Sequence, residues 1–160
     1  MNARPSYICA GLYVSDWRTA CLADLEALNI GLVITAMTAE ELDYYSIDGA
    51  VDFEGATWLW IPVEDDDEEP IGAHFEKVIA AMEKATAAGK ATLIHCMAGK
   101  SKKMDLVRFF TNSRSPTLAA AWLMRHYAWT ADHAIAYLKE RRPCVDPNAG
   151  FVAALSSSHL

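Results

Sequence analysis

The chain has 160 residues, a 52% hydrophobic fraction and a formal net charge of −7, which suits a single domain with a sizeable core and argues against a general nucleic-acid surface. No apolar run approaches membrane-spanning length, and the first residues lack the uninterrupted apolar stretch of a secretory signal. Cys9, Cys21, Cys96 and Cys144 show neither metal-ligand spacing nor a compact disulfide framework, so reduced thiols in the cytoplasm, with the nucleus compatible, are expected and no metal site is.

Read in chain order, Ile8–Val14 is apolar with Gly11 at its centre and predicts two short strands around a turn. Ser15-Asp16 can cap a helix whose inner face carries Trp17, Cys21, Leu25 and Leu28. Ile30–Thr35 reads as a buried strand, and residues 36–56, acidic and without period, read as irregular. Thr57–Pro62 is β-prone and ends at Pro62. Phe75, Val78, Ile79 and Met82 have helical spacing, with Gly89 as the C-cap. Ala91–His95 predicts a central parallel strand.

Further on, Ser115 is expected as an N-cap with Pro116 at the first helical position, leading into a core helix over Thr117–Tyr127. Thr130 opens another helix, with Ile135 and Leu138 inward, that ends at Arg141-Arg142-Pro143. Asn148-Ala149-Gly150-Phe151 opens a last short one. Strands interleaved with helices predict an α/β fold: one domain over 1–160, with a central, mostly parallel β-sheet flanked by helices.

The chemistry lies in two separated fragments, His95-Cys96-Met97-Ala98-Gly99 and Ser113-Arg114-Ser115-Pro116. Joined, they would run from a strand end through a tight loop into a helix N-terminus, whose unpaired N–H groups attract a phosphate dianion. Gly99 would let successive amides converge on one anion. Cys96 beneath them would have its pKa lowered toward the thiolate, and Arg114 would fork onto two phosphate oxygens. A leaving alkoxide needs a proton, and Ile61-Pro62-Val63-Glu64-Asp65 ends a strand with a carboxylate. His74, His126 and His133 show no ligand pattern.

With these two fragments, Ala121-Trp122-Leu123-Met124, and Arg141-Arg142-Pro143 leading to Pro147-Asn148-Ala149-Gly150-Phe151, the chain resembles the small (atypical) dual-specificity protein phosphatases of the cysteine-based tyrosine phosphatase superfamily. The resemblance implies the phosphotyrosine phosphatase fold and hydrolysis of phosphotyrosine and phosphoserine/threonine through a phosphocysteine intermediate. It implies Cys96 as nucleophile, Arg114 as phosphate-binding arginine, Asp65 as general acid and Ser115 as the hydroxyl that helps the thiolate leave. Met97, Ala98, Gly99 and Ser113 would complete the phosphate cradle, with His95 tuning the cysteine through hydrogen bonds and Asn148 in support. Asp66 is the alternative acid, since Asp65 sits in the charged run Glu64–Glu69. No metal or organic cofactor is implied. The expected partner is a phosphoprotein, without nucleic acid or membrane, and the oligomeric state is not legible. A phosphoinositide or an RNA 5′-phosphate remains an alternative ester.

The family's cradle is Cys-x5-Arg, but Arg114 follows Cys96 by eighteen positions, with the additional segment inside Lys100–Asn112. Three readings stand. The segment is tolerated, at a closure cost on the order of 2 kcal/mol for a dozen residues. It leaves a catalytically dead pseudophosphatase that binds or scaffolds phosphoproteins. Or it comes from a misplaced splice boundary, since the codons of Gly99-Lys100-Ser101 can contain an intron start. A whole in-frame intron whose removal restores the spacing fails on the codons available to Thr111, Asn112 and Ser113.

Overall fold

The computed structural model describes residues 4–45, 53–97 and 112–160. Five strands form one sheet: β1 (Ser6–Cys9), β2 (Leu12–Asp16), β3 (Ile30–Ala36), β4 (Thr57–Ile61) and β5 (Ala91–Cys96). Their order is β1-β2-β5-β3-β4. β1 turns onto β2 antiparallel through Gly11, whose φ of +82° lies in the left-handed region that a side chain disfavours. The remaining pairs are parallel, as expected, and β5 is central. Its six residues are all buried, which is why it reads as a continuous apolar run rather than an alternation.

Register determines where a site can lie. Cys96 pairs with Asp16 of β2 and with Ala36 of β3, and Ala36 pairs with Ile61 of β4. Four parallel strands therefore end together, and the outlet beyond their carboxyl ends is where open α/β sheets bind ligands.

Six α-helices accompany the sheet among the described residues: α1 (Trp17–Cys21), α2 (Ala39–Tyr45), α3 (Phe75–Ala87), α4 (Arg114–Tyr127), α5 (Ala131–Arg141) and α6 (Ala149–Ser157). The larger core lies on one face, where Leu32, Ile34 and Ile94 of the sheet meet Phe75, Leu118 and Phe151 of the helices. The smaller core on the opposite face holds Ala20, Ile30, Val33, Phe53, Ala91 and Leu93. Every residue of α4 from Arg114 to Met124 is buried. The helices expected around Phe75–Met82, after Thr130 and after Asn148 are present, with Thr130 and Asn148 side chains capping α5 and α6. Gly89, with φ +70°, follows the Ala88 cap of α3.

Three local expectations change. Asp16 caps α1 through Thr19 N–H, but the helix stops at Cys21. Asp24 then accepts from Ala27 N–H at 2.9 Å, a local bond that competes with helix, so Cys21 is exposed while Leu25 and Leu28 reach the smaller core from turns. In the region read as irregular, Ala39–Tyr45 is helical. Thr38 Oγ1 accepts from Glu41 N–H at 3.1 Å and Glu41 Oε2 accepts from Thr38 N–H at 2.9 Å, a reciprocal capping box. Finally, α4 begins at Arg114, one position before the expected cap, so Ser115 is inside the helix and Ser113 precedes it. The hydroxyls of both serines are engaged elsewhere. Pro116 remains within the first turn, where its missing N–H costs nothing.

Candidate active site

Cys96 ends β5 with no exposed surface, and its Sγ lies 3.1 Å from Ser115 Oγ in the first turn of α4. The Ser115 backbone N–H also points at the sulfur. The thiol and the hydroxyl are thus brought together across nineteen sequence positions. The thiol does not show the lowered pKa expected of it. Burial pushes it above the ordinary value, against the opposing pull of Arg114 and of hydrogen bonds from Ser115, and Asp65 adds to the rise.

Arg114 is almost entirely buried, its side chain 3% exposed. Its Nη1 donates to Glu41 Oε2 at 2.5 Å and to the Val63 carbonyl at 3.1 Å, and its Nη2 donates to Glu41 Oε1 at 2.9 Å. Burial opposes the guanidinium charge, but the Glu41 hydrogen bonds and the nearby Cys96, Glu41 and Asp65 charges outweigh it and raise its pKa. Its Nε is buried and finds no partner among the described residues.

Asp65 Oδ1 accepts from Asn148 Nδ2 at 3.0 Å, and Asn148 N–H donates to Ser113 Oγ at 3.0 Å. One asparagine therefore joins the carboxylate loop to the residue before Arg114, while its own Oδ1 caps α6 through Phe151 N–H. Asp66 is used differently, with Oδ1 accepting from Glu68 N–H at 2.9 Å within its own turn.

The far end of the additional segment is held in place. Asn112 forms an isolated parallel bridge with Val145, donates its N–H to the Cys144 carbonyl and accepts from Asp146 N–H, each at 2.8 Å. Its side chain donates to the Ser15 carbonyl at 3.2 Å. Asn112, assigned by spacing to the added segment, is thus part of the framework. Met97 is buried after β5; Ala98, Gly99 and residues 100–111 lie outside the described residues.

His95, fully buried, does not reach Cys96 by any hydrogen bond among the described residues. Its Nε2 meets Thr35 Oγ1 at 2.7 Å, and Trp58 Nε1–H donates to the same oxygen at 2.8 Å. Trp17 and Phe53 flank the ring, with centroids at 5.4 and 5.7 Å. Burial drives its pKa from 6.5 to about 3, so the imidazole is neutral. Sequence reasoning missed Glu41, Thr35 and the Val63 carbonyl. The Thr38-x-x-Glu41 spacing signals a helix start, but nothing local to it signals a pairing with an arginine 73 positions away.

The model of the dual specificity phosphatase catalytic domain matches residues 12–159, which takes in every element that builds this site. The chain belongs to the dual-specificity phosphatase family. It is 36% identical over 132 residues to the tyrosine-protein phosphatase vhp-1 of Caenorhabditis elegans, covering 82% of this chain and 17% of that protein. To yvh1 of Schizosaccharomyces pombe it is 31% identical over 151 residues, covering 94% of this chain and 40% of the relative. The chain thus spans less than half the length of these two family members. Among solved structures, human DUSP28 aligns with a TM-score of 0.76 at 28% identity, over 94% of this chain and 89% of that one. A human tyrosine phosphatase-like serine/threonine/tyrosine-interacting protein aligns at 0.79 and 25% identity, over 96% and 93%. This family member has no helix among its described residues long and apolar enough to cross a membrane.

Proposed function

We propose that the chain, as one catalytic domain over 1–160, hydrolyses phosphotyrosine and phosphoserine/threonine in phosphoproteins, in a reducing compartment of the cell. The observation that carries this reading is the meeting of Cys96 Sγ with Ser115 Oγ at the start of α4, beside the buried Arg114. The thiol loses its proton to water before attack, and Arg114 and the Ser115 N–H hold the resulting charge. The S–P bond forms as the P–O bond breaks, and Asp65 gives its proton to the leaving oxygen. Water then attacks phosphorus as Asp65 takes one of its protons, the S–P bond breaks with its electron pair left on sulfur as a thiolate that accepts a hydrogen bond from the Ser115 hydroxyl, and phosphate leaves. Arg114 follows the charge on the equatorial oxygens through both steps. Asp65 is preferred to Asp66 because its carboxylate is tied to Asn148, next to Ser113, whereas that of Asp66 closes its own turn.

A second reading, a phosphate-binding module without turnover, is favoured by the complete burial of Cys96, which pushes its pKa above the ordinary thiol value. One experiment separates the two. Hydrolysis of a small aryl phosphate is measured for the full chain, Cys96→Ser, Asp65→Asn, Asp66→Asn and a version lacking residues 100–111. This deletion keeps the anchored Asn112 and restores Cys-x5-Arg. Cysteine-dependent turnover by the full chain, reduced at least tenfold in Asp65→Asn and little changed in Asp66→Asn, is the expected result. Turnover only in the shortened version refutes the enzymatic reading for the full chain.

A further inference from the structure

The other pole of the sheet carries a cleft that takes no part in the proposed catalysis. It lies at the amino ends of β5, β3 and β4 and has a volume of about 490 Å³, within the range of small-ligand pockets. Leu25 and the buried Ile30 give it an apolar lining, and Glu26, Asn29, Glu54 and Lys90 give it a polar one.

Lys90 is held in place rather than left to solvent. A Cβ built at Gly31 would fall 2.7 Å from both Cβ and Cγ of Lys90, so the lysine stem fills the room that glycine leaves on β3. Its ammonium donates to Asn29 Oδ1 at 3.1 Å. Asn29 is fixed in turn, with a left-handed φ of +53° and its Nδ2 donating to the Gly89 carbonyl at 2.8 Å. A neutral amide takes one of the three ammonium protons and none of the charge. Glu26 and Glu54 line the same cleft, yet neither side chain pairs with Lys90 or with any other described residue. One cation and two carboxylates therefore share a partly apolar cleft without cancelling one another.

We propose that this cleft binds a small zwitterion of the α-amino-acid class with an apolar side chain. Its carboxylate meets Lys90, its ammonium meets Glu26 and Glu54, and its side chain packs on Leu25 and Ile30. A plain anion would face the two carboxylates and a plain cation would face Lys90, and like charges brought together weaken binding. Only a ligand carrying both charges avoids each conflict. The prior placement of Lys90 removes part of the ordering cost. The contacts are open to water, so the dissociation constant is on the order of 1–10 mM and rises with salt.

The test titrates the full, isotope-labelled chain with L-leucine to about 50 mM at low salt and follows the backbone amide resonances by NMR. Saturable shifts centred on Asn29, Ile30, Gly55 and Lys90 support the proposal. Lys90→Met keeps the stem over Gly31 and removes the charge, and Glu54→Gln removes one carboxylate. Each should weaken leucine binding by about three- to fivefold, the worth of one solvent-screened charge contact. Isocaproate and isopentylamine, which are leucine without its ammonium and without its carboxylate, should bind more weakly by at least that factor. No saturable shift, shifts confined to other residues, or leucine binding unchanged in either variant overturns the proposal. Isocaproate or isopentylamine binding as tightly as leucine overturns it too, since the cleft would then select a single charge.

Discussion

Replacing Gly150 by alanine sets a general rule against a specific contact. Gly150 lies in the first turn of α6, and on helix propensity alone alanine there would stabilise by about 0.8–1 kcal/mol. The structure reverses the sign. A Cβ built at Gly150 falls 1.8 Å from the Asp67 carbonyl oxygen and 2.6 Å from its carbon, both backbone atoms that cannot swing aside. The helix start and the acidic loop must separate by more than about 1 Å, a shift large enough to cost about 100-fold in rate where it reaches a catalytic group. Overpacking of this kind costs about 1–3 kcal/mol, so a net loss of up to about 2 kcal/mol is expected after the propensity gain. The displacement falls on Asp65, because the loop carries it on one side and Asn148, which holds its carboxylate, precedes Gly150 on the other. Urea unfolding reads the stability. Hydrolysis of two aryl phosphates with good and poor leaving groups reads the acid role proposed for Asp65, since only the poor one depends strongly on protonation. A Gly150→Ala chain that is more stable, with the same preference between leaving groups, would refute the reasoning.

Two further predictions concern the core. His95 has a folded-state pKa of about 3 against an ordinary 6.5, so below pH 6.5 the unfolded chain takes up a proton that the folded chain refuses. Stability should fall with acidification across that window, and the advantage of the wild type over His95→Gln should shrink by about 2–3 kcal/mol between pH 7 and 4.5 in denaturant titrations; a constant difference argues against a neutral buried imidazole. Phe151, fully buried where α6 meets the larger core, should cost about 3–5 kcal/mol when cut to alanine, read by calorimetry, and a loss under about 1 kcal/mol would show that α6 is not packed there.

Much of the architecture could be read from residue pattern. The central strand announced itself as an apolar run bounded by Gly89 and Cys96, and α5 and α6 by the capping residues Thr130 and Asn148. The errors have local physical causes. The helix after Asp16 stops because Asp24 offers the backbone a competing bond, and α2 was overlooked because seven residues are too few to display a period. The cap before α4 is misplaced because Ser115 reads as a capping type, while Cys96 has a claim on its hydroxyl, as Asn148 has on that of Ser113, that only the tertiary fold reveals. Cys96, Arg114 and Ser115 could be named from motif; the grip of Glu41 on Arg114 could not, because it joins two elements with no shared spacing.

The bridge between Asn112 and Val145 has a consequence for how this chain can vary. Upstream of the added segment, Cys96 is fixed by hydrogen bonding to strands on both sides. Downstream, Asn112 is stitched to residues 144–146 and to Ser15 before α4 begins. The separation of Cys96 from Arg114 in space is therefore inherited from the sheet and from α4, not from the number of residues that connect them. Peptide length at that junction becomes a nearly free parameter of the fold, one that can drift while Cys96 and Arg114 stay where they were.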